Sequence, residues 1–350
     1  MAHIHLFVRP AAVLAGSVAV LTALACSSAT SAAPSNGHSS GLPSAHSSMS
    51  TGAAPSTEVG GCPVYPDNNY WNTPITNLNV SQYSDAWMSH MSPGSDLHPD
   101  FGKSYGEQPV PYGIPITFVD NTHPTVPVKF RYSHDSDKVP YPLGDDTKIE
   151  GGAKSKGDRH ALVVNTDTCE LYETWLTQLK DDGWHAGSGA VWDLHSNLLR
   201  HDGWTSADAA GLPVLAGLLR YDEVEVAGDV THAIRFTTTI TQTAHIWPAR
   251  HDAGSKSSTD YPPMGARFRL KADFPTSGYR PDTVAVLDAM KTYGLVLADN
   301  GSPWYFQGEA DKRWPSGLIS ELKSIPASAF EAVDTAPMEI DHNSGEARQP

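Results

Sequence analysis

The stretch that decides the fold reads Asp158-Arg159-His160-Ala161-Leu162-Val163-Val164, then Asn165-Thr166-Asp167-Thr168, then Cys169-Glu170-Leu171-Tyr172-Glu173-Thr174-Trp175. Apolar, β-branched and aromatic residues fill both flanks, and the Asn, Asp and Thr between them favour a turn, so the spacing predicts a β-hairpin. A two-residue loop at Thr166-Asp167 sets His160 opposite Glu173 on one sheet face. Imidazole and carboxylate there form an acid/base pair, two ligands of a metal completed by a third His, or simply a solvated cross-strand pair. A one-residue slip would separate them.

Working outward, His232-Ala233-Ile234-Arg235-Phe236-Thr237-Thr238-Thr239-Ile240 reads as another strand. Leu295–Ala298 and Trp304–Phe306 read as a second hairpin joined through Asp299-Asn300-Gly301. Tyr221–Val226 reads as a strand with a solvated acidic face. Helices are fewer. One runs from Ser81 to about Met91, one opens at Pro281 and ends before Gly294, one runs from Pro315 through Leu322, and Ser206 caps a run that Pro213 splits. Gly and Pro number 29 and 27, and charged residues are only 18% of the chain. The expected fold is mainly β, a β-sandwich or jelly roll with a few short helices.

The 350 residues divide unevenly. Arg9 precedes an uncharged apolar run from Ala11 to Ala25, the length of a signal-peptide core, so residues 1–25 are expected to be a signal peptide. The run ends Ala23-Leu24-Ala25-Cys26, which reads either as a cleavage site or as an imperfect lipobox with Cys26 acylated. Residues 26–61, almost all Ser, Ala, Gly, Pro, Thr and His, bury too little apolar surface to offset ordering entropy and read as a disordered tether. A single globular domain is expected over 62–334 and a disordered tail over 335–350. Cys62 and Cys169 form an even pair in an exported chain and read as a disulfide. The expected location is secreted or lipid-anchored at the outer face of the membrane or cell wall. A net charge of −15 argues against nucleic acid, and contact with a membrane is expected only through the lipid anchor.

Candidate site residues are concentrated in aromatic and imidazole clusters. Gly183 to Asp208 holds Trp184, Trp192 and Trp204 among Gly, His and Asp, a mixture suited to gripping sugars, whose C–H faces stack on aromatics while hydroxyls need fixed polar partners. His245-Ile246-Trp247-Pro248-Ala249-Arg250-His251 suits a loop lining a polar cleft. His232 lies on an otherwise apolar strand face, where a satisfied core histidine is the plainer reading. Asp208 and Asp299 stand beside Glu173 as candidate carboxylates for glycosidic chemistry. Tempting motifs fail. Gly187-Ser188-Gly189 lacks the spacing of a nucleophile elbow, Gly151-Gly152-Ala153-Lys154-Ser155 lacks the glycine before the lysine of a phosphate loop, and neither a two-Cys zinc spacing nor His-Glu-x-x-His occurs.

Taken together, Ile149-Glu150-Gly151-Gly152, Gly157-Asp158-Arg159-His160, Asp202-Gly203-Trp204-Thr205-Ser206-Ala207-Asp208-Ala209-Ala210-Gly211-Leu212-Pro213, Trp247-Pro248-Ala249-Arg250-His251 and Asp299-Asn300-Gly301-Ser302 resemble a family of secreted bacterial proteins, frequent in actinobacteria. The resemblance covers roughly Cys62 to Val333. It implies an exported, wall-facing protein and carries over no catalytic residue.

The leading expectation is a secreted carbohydrate-active enzyme that cleaves a polysaccharide or cell-wall glycan. As a glycosidase it would use Glu173 with Asp299 or Asp208, oriented by His160, His232 and His251. As a lyase, an imidazole or Tyr172 would abstract the proton and Arg250 would neutralise a uronate. Trp204 and Trp247 are the expected sugar platforms. No cofactor is required. The other readings are a non-catalytic glycan-binding module, and a divalent-metal hydrolase built on His160, Glu173 and His232 or His251.

Overall fold

A computed structural model describes residues 58–103, 110–152 and 154–350. The expected signal peptide, Cys26 and the expected tether up to residue 57 lie outside the described residues.

The hairpin at the centre of the sequence forms. β6 (Ala161–Asn165) and β7 (Glu170–Trp175) pair antiparallel in a four-stranded sheet of order β10-β7-β6-β4, with β4 (Ile116–Val119) parallel to β6 and β10 (Ser188–Asp193) antiparallel to β7. Ala161 to Val164 are all buried, as a central strand covered on both faces requires. The register differs from the two-residue loop. Leu162, not His160, opposes Glu173, because the side-chain oxygen of Asn165 accepts from the backbone N–H groups of Asp167 and Thr168 and opens the turn to four residues. A slip of two keeps His160 on the face of Glu173 but places it before the strand begins.

Cys62 and Cys169 form a disulfide that ties the hairpin of β1 (Glu58–Val59) and β2 (Cys62–Pro63) to the β6–β7 turn. A three-stranded sheet flanks this layer, with β9 (Gly183–Ala186) between β5 (Val128–Phe130) and β8 (Gln178–Lys180).

The second layer is a six-stranded sheet of order β15 (Phe330–Val333), β12 (Arg267–Leu270), β13 (Leu295–Asn300), β11 (Ile234–Thr238), β14 (Tyr305–Phe306) and β3 (His98–Pro99). The Asp299-Asn300-Gly301 hairpin expected from the sequence does not form. β11 lies between β13 and β14, parallel to the first and antiparallel to the second. Asn300 explains the difference. Its amide donates to the Ala253 carbonyl and its oxygen accepts from Thr241, so the loop is held to the 241–253 segment and swings away from a tight turn. Under the sheet, Phe236, Phe268, Trp304 and Phe330 interlock with ring centroids 5.3–6.2 Å apart.

Three helices cover edges: α1 (Ser84–His90), α2 (Pro281–Thr292) and α3 (Ser316–Leu322). Pro281 opens α2, and Gly294, at φ +74°, turns the chain into β13 where a Cβ would fall 2.3 Å from the Phe268 carbonyl. The Ser206 run is turns and bends with a short 3-10 turn at Leu215–Gly217, and Tyr221–Val226 is no strand, since Asp222–Ala227 winds as one π-helical turn.

The fold is therefore mainly β, as expected. Its sheets mix parallel and antiparallel pairs and trace no clear jelly-roll sandwich. The last sixteen residues also depart from the expected tail. They bridge to Asn69 and Leu198, and Ser344 and His342 carbonyls accept from Trp247 and Arg250. Among the described residues no helix is long and apolar enough to cross a membrane.

Candidate active site

The pairing of four strands lines up one row of polar side chains. Phe236 pairs with Phe306, and Phe306 with Pro99, so the neighbouring positions Arg235, Gln307 and Asp100 follow one another across β11, β14 and β3. Strand alternation turns Phe236, Leu297 and Phe306 into the core and leaves Arg235 on the opposite face. Alternation alone would send Asp299 into the core with Leu297. A register shift between Phe236 and Thr237 pairs Asp299 with Thr237 instead, on the face of Arg235.

Arg235 is 2% exposed and grips Asp208, 1% exposed, through Nε to Oδ2 at 2.9 Å and a second N–H to Oδ1 at 2.7 Å. Its remaining arm donates to Gln307 Oε1 at 2.5 Å. Asp208 reaches this position from the 194–215 loop, where its own N–H is held by the Ser206 hydroxyl. The paired charges form the floor of the site.

The facing wall comes from the segment before β6. Glu150 Oε2 accepts from His160 Nδ1 at 2.8 Å and from the His160 backbone N–H at 3.2 Å, while the Glu150 N–H donates to the His160 carbonyl. His160 Nε2 lies 3.2 Å from the Ala207 carbonyl, so both ring nitrogens face acceptors. Burial opposes a charge on this imidazole, but the Glu150 carboxylate and its hydrogen bond outweigh it and lift the pKa to about 9. Burial likewise opposes the Glu150 charge, and His160 overcomes it, holding that carboxyl below its usual range.

Two other carboxyls move the opposite way. Burial first, then repulsion from Asp208, raise Asp299 to about 7 despite Arg235. Burial and the Glu150 charge raise Asp100 to about 6, although it is hydrogen-bonded to Gln307 and accepts from the Tyr112 hydroxyl. Asp158 stands exposed at the rim, its charge acting on Asp100, His160 and Asp299 alike, and it accepts from Trp175 Nε1 at 3.4 Å. Asp299 and Asp100, with raised proton affinity, thus lie in one electrostatic cluster with Glu150, which is held ionised, and with a fixed imidazolium and guanidinium.

Of the residues singled out from sequence, His160, Asp208 and Asp299 meet here. Glu173 does not line the cleft. It is fully buried, accepts from Trp192 Nε1 and from the backbone N–H groups of Val214 and Leu215 at 2.8–3.1 Å, and burial pushes it to about 7. Tyr172 points to the other sheet face, beside Tyr141, and donates to Glu170 at 3.0 Å. His232 is buried against the Ala233 carbonyl and Glu223, with burial and Arg220 driving its pKa to about 3. Arg250 is wholly buried and spends its N–H groups on the Arg200 and His342 carbonyls and on Asn343, and Trp247 is buried with its N–H on Ser344. His251 is half-buried and held by the Ala209 carbonyl at 2.7 Å. Trp204 is half-exposed, with Arg200 5.5 Å from its ring and His201 at its edge.

The expected metal set does not converge, and among the described residues no group of three His, Cys, Asp or Glu side chains is arranged to hold a metal ion. The residues that sequence reasoning missed are Asp100, Glu150, Asp158, Arg235 and Gln307. Glu150 and Asp158 carried a signal: Gly151 and Gly152 have positive φ, as does Arg159, whose guanidinium ties the 152–155 loop to Thr177 and so fixes Asp158 beside it. Asp100 and Gln307 sit in stretches without any motif. Comparison of the chain with protein-family models, with curated proteins and with solved structures finds no match.

Proposed function

We propose that this protein is a secreted carbohydrate-active hydrolase that cleaves a polysaccharide by carboxyl acid/base chemistry. The observation that carries the reading is the split in proton affinity within one cleft. Asp299 keeps its proton up to about pH 7 while Glu150 is held ionised by His160. Asp299 is the general acid that protonates the leaving oxygen. Asp158, exposed and acting on Asp299, is the carboxylate that activates water or stabilises the oxocarbenium-like transition state. Arg235 with Asp208 holds the floor rigid, and the Asp208 charge helps keep the proton on Asp299. His160 is a positioning residue, because an imidazolium at about 9 is no base at neutral pH.

Hydrolysis is preferred to elimination because Arg250, the cation that would neutralise a uronate, has its donors committed to backbone and Asn343. The exported location supports an extracellular polymer as substrate and rests on the leader and on the disulfide, which is consistent with an oxidising compartment. Purified protein incubated with bacterial and plant polysaccharides should release chains that each gain one water. Asp299→Asn should lower turnover by about 10²–10⁴-fold. Full turnover in that variant, or unsaturated product ends by mass spectrometry, would remove this reading.

A further inference from the structure

An aromatic pair adjoins the cleft and plays no part in the chemistry above. Trp175, half-buried at the end of β7, reaches Asp158 Oδ1 with its indole N–H at 3.4 Å. Its ring lies flat on a backbone with no side chain: a Cβ at Gly187 would fall 2.3 Å from Cε3. The Tyr132 ring stacks near-parallel to it, at 24° with centroids 6.3 Å apart. Backbone bonds fix both. Gly187 N–H donates to the Trp175 carbonyl at 2.6 Å, Tyr132 N–H to the Gly187 carbonyl at 2.8 Å, and the Asp158 carbonyl accepts from Leu176. The Arg131 guanidinium, 5.3 Å from the Tyr132 centroid, steadies that ring.

From this geometry we infer that Trp175 and Tyr132 form a saccharide subsite, binding the apolar C–H faces of pyranose rings that extend from the scissile bond at Asp158 and Asp299. The occupant is a polysaccharide chain because the platform is continuous with the candidate active site. One end is linked by hydrogen bond to the rim carboxylate, and two near-parallel rings lie together beside it. A rigid ring on a glycine shelf loses little entropy on stacking, and its committed N–H keeps its orientation. The inference rests on the reading of the cleft as a glycan site and deepens it by naming where the chain lies.

The test is affinity electrophoresis of the full-length secreted protein in gels cast with soluble β-glucan, xylan or galactan, read beside product release from the same polymers. Wild type and Asp299→Asn should be retarded alike by at least one polymer. Trp175→Ala and the loop variant Tyr132→Ala should bind it about tenfold more weakly, and Trp175→Phe should keep most of the binding. Thermal melting of each variant checks the fold, and Tyr132→Ala serves if Trp175→Ala fails to fold. Equal retardation of wild type and both alanine variants overturns the subsite and leaves the hydrolase reading to stand on Asp299→Asn. Retardation lost in the alanine variants without cleavage by wild type keeps the subsite and overturns the hydrolase. No retardation of wild type by any of the polymers overturns the subsite.

Discussion

A buried imidazole keeps its charge only when an anion faces it, and His160, 4% exposed, has Glu150 at 2.8 Å. Because its pKa in the folded chain, about 9, lies above the ordinary value of 6.5, the pair contributes stability that is fully present below about 6.5 and is lost as pH rises through about 9. Glu150→Gln should therefore destabilise the protein by about 3 kcal/mol at mildly acidic pH, with the difference shrinking in alkali. Denaturant titrations at the two extremes check this, and NMR titration of His160 should show its pKa falling below the ordinary value once burial acts alone. On the proposed hydrolase reading, Asp299 sets the alkaline limb of the activity. As general acid it is competent only while protonated, so kcat/KM should decline as pH rises through about 7. Glu173 separates the two scales of explanation. Glu173→Gln puts an amide N–H against the Val214, Leu215 or Trp192 donors and should cost about 1–3 kcal/mol of stability, with kcat preserved in the folded fraction.

At the scale of elements, the disulfide joins the first hairpin to the β6–β7 turn across a sequence separation of 107 residues. A link over so long a loop restricts the unfolded chain strongly, and replacing both cysteines by Ala should lower unfolding free energy by about 2–5 kcal/mol, read from urea titrations as a drop in midpoint with a steeper slope as the unfolded chain expands. The bulge opposite Phe236 and Thr237 is the second decisive element. It turns Asp299 out of the core and onto the row of Arg235, Gln307 and Asp100. The hairpin was legible in its apolar and β-branched flanks and in the Asn165-Thr166-Asp167-Thr168 turn, and the bulge was not, because nothing in Leu295 to Asn300 records which strand will lie beside it.

For the whole molecule, Asp299, Glu173 and Asp100 all bind protons more tightly folded than unfolded. For raised carboxyls the folded state holds more protons between about 4 and 7, so stability falls as pH rises through that window, and His160 continues the decline to about 9. The depressed carboxyls Glu150, Asp282 and Asp311 act oppositely, losing their contribution as pH falls. His232 and His98, lowered by burial to about 3 and about 4, act with the depressed carboxyls, and the balance with the raised carboxyls, His160 and self-repulsion at a net charge of −15 places maximal stability below neutrality. Melting temperatures measured across the pH range should peak there, and a maximum above neutrality would contradict the assignment of these groups.

Local composition carried the mainly β fold, the pairing of Cys62 with Cys169 and three of the helices, because strand patterning, cysteine parity and helix-end signals each leave marks within a few positions. The tertiary structure alone decided who faces whom. Glu150 rather than Glu173 meets His160, since a four-residue turn held by Asn165 moved the register by two. Arg235, which in the sequence is one polar residue in a strand, became the floor of the site by pairing with Asp208, 27 positions away, and with Gln307, 72 away. Arg250, Trp247 and His232 read as cleft residues and are internal fasteners, because a buried donor must find an acceptor wherever the chain brings one. Such partners are set by strand order and loop path, which a linear reading of spacing does not contain.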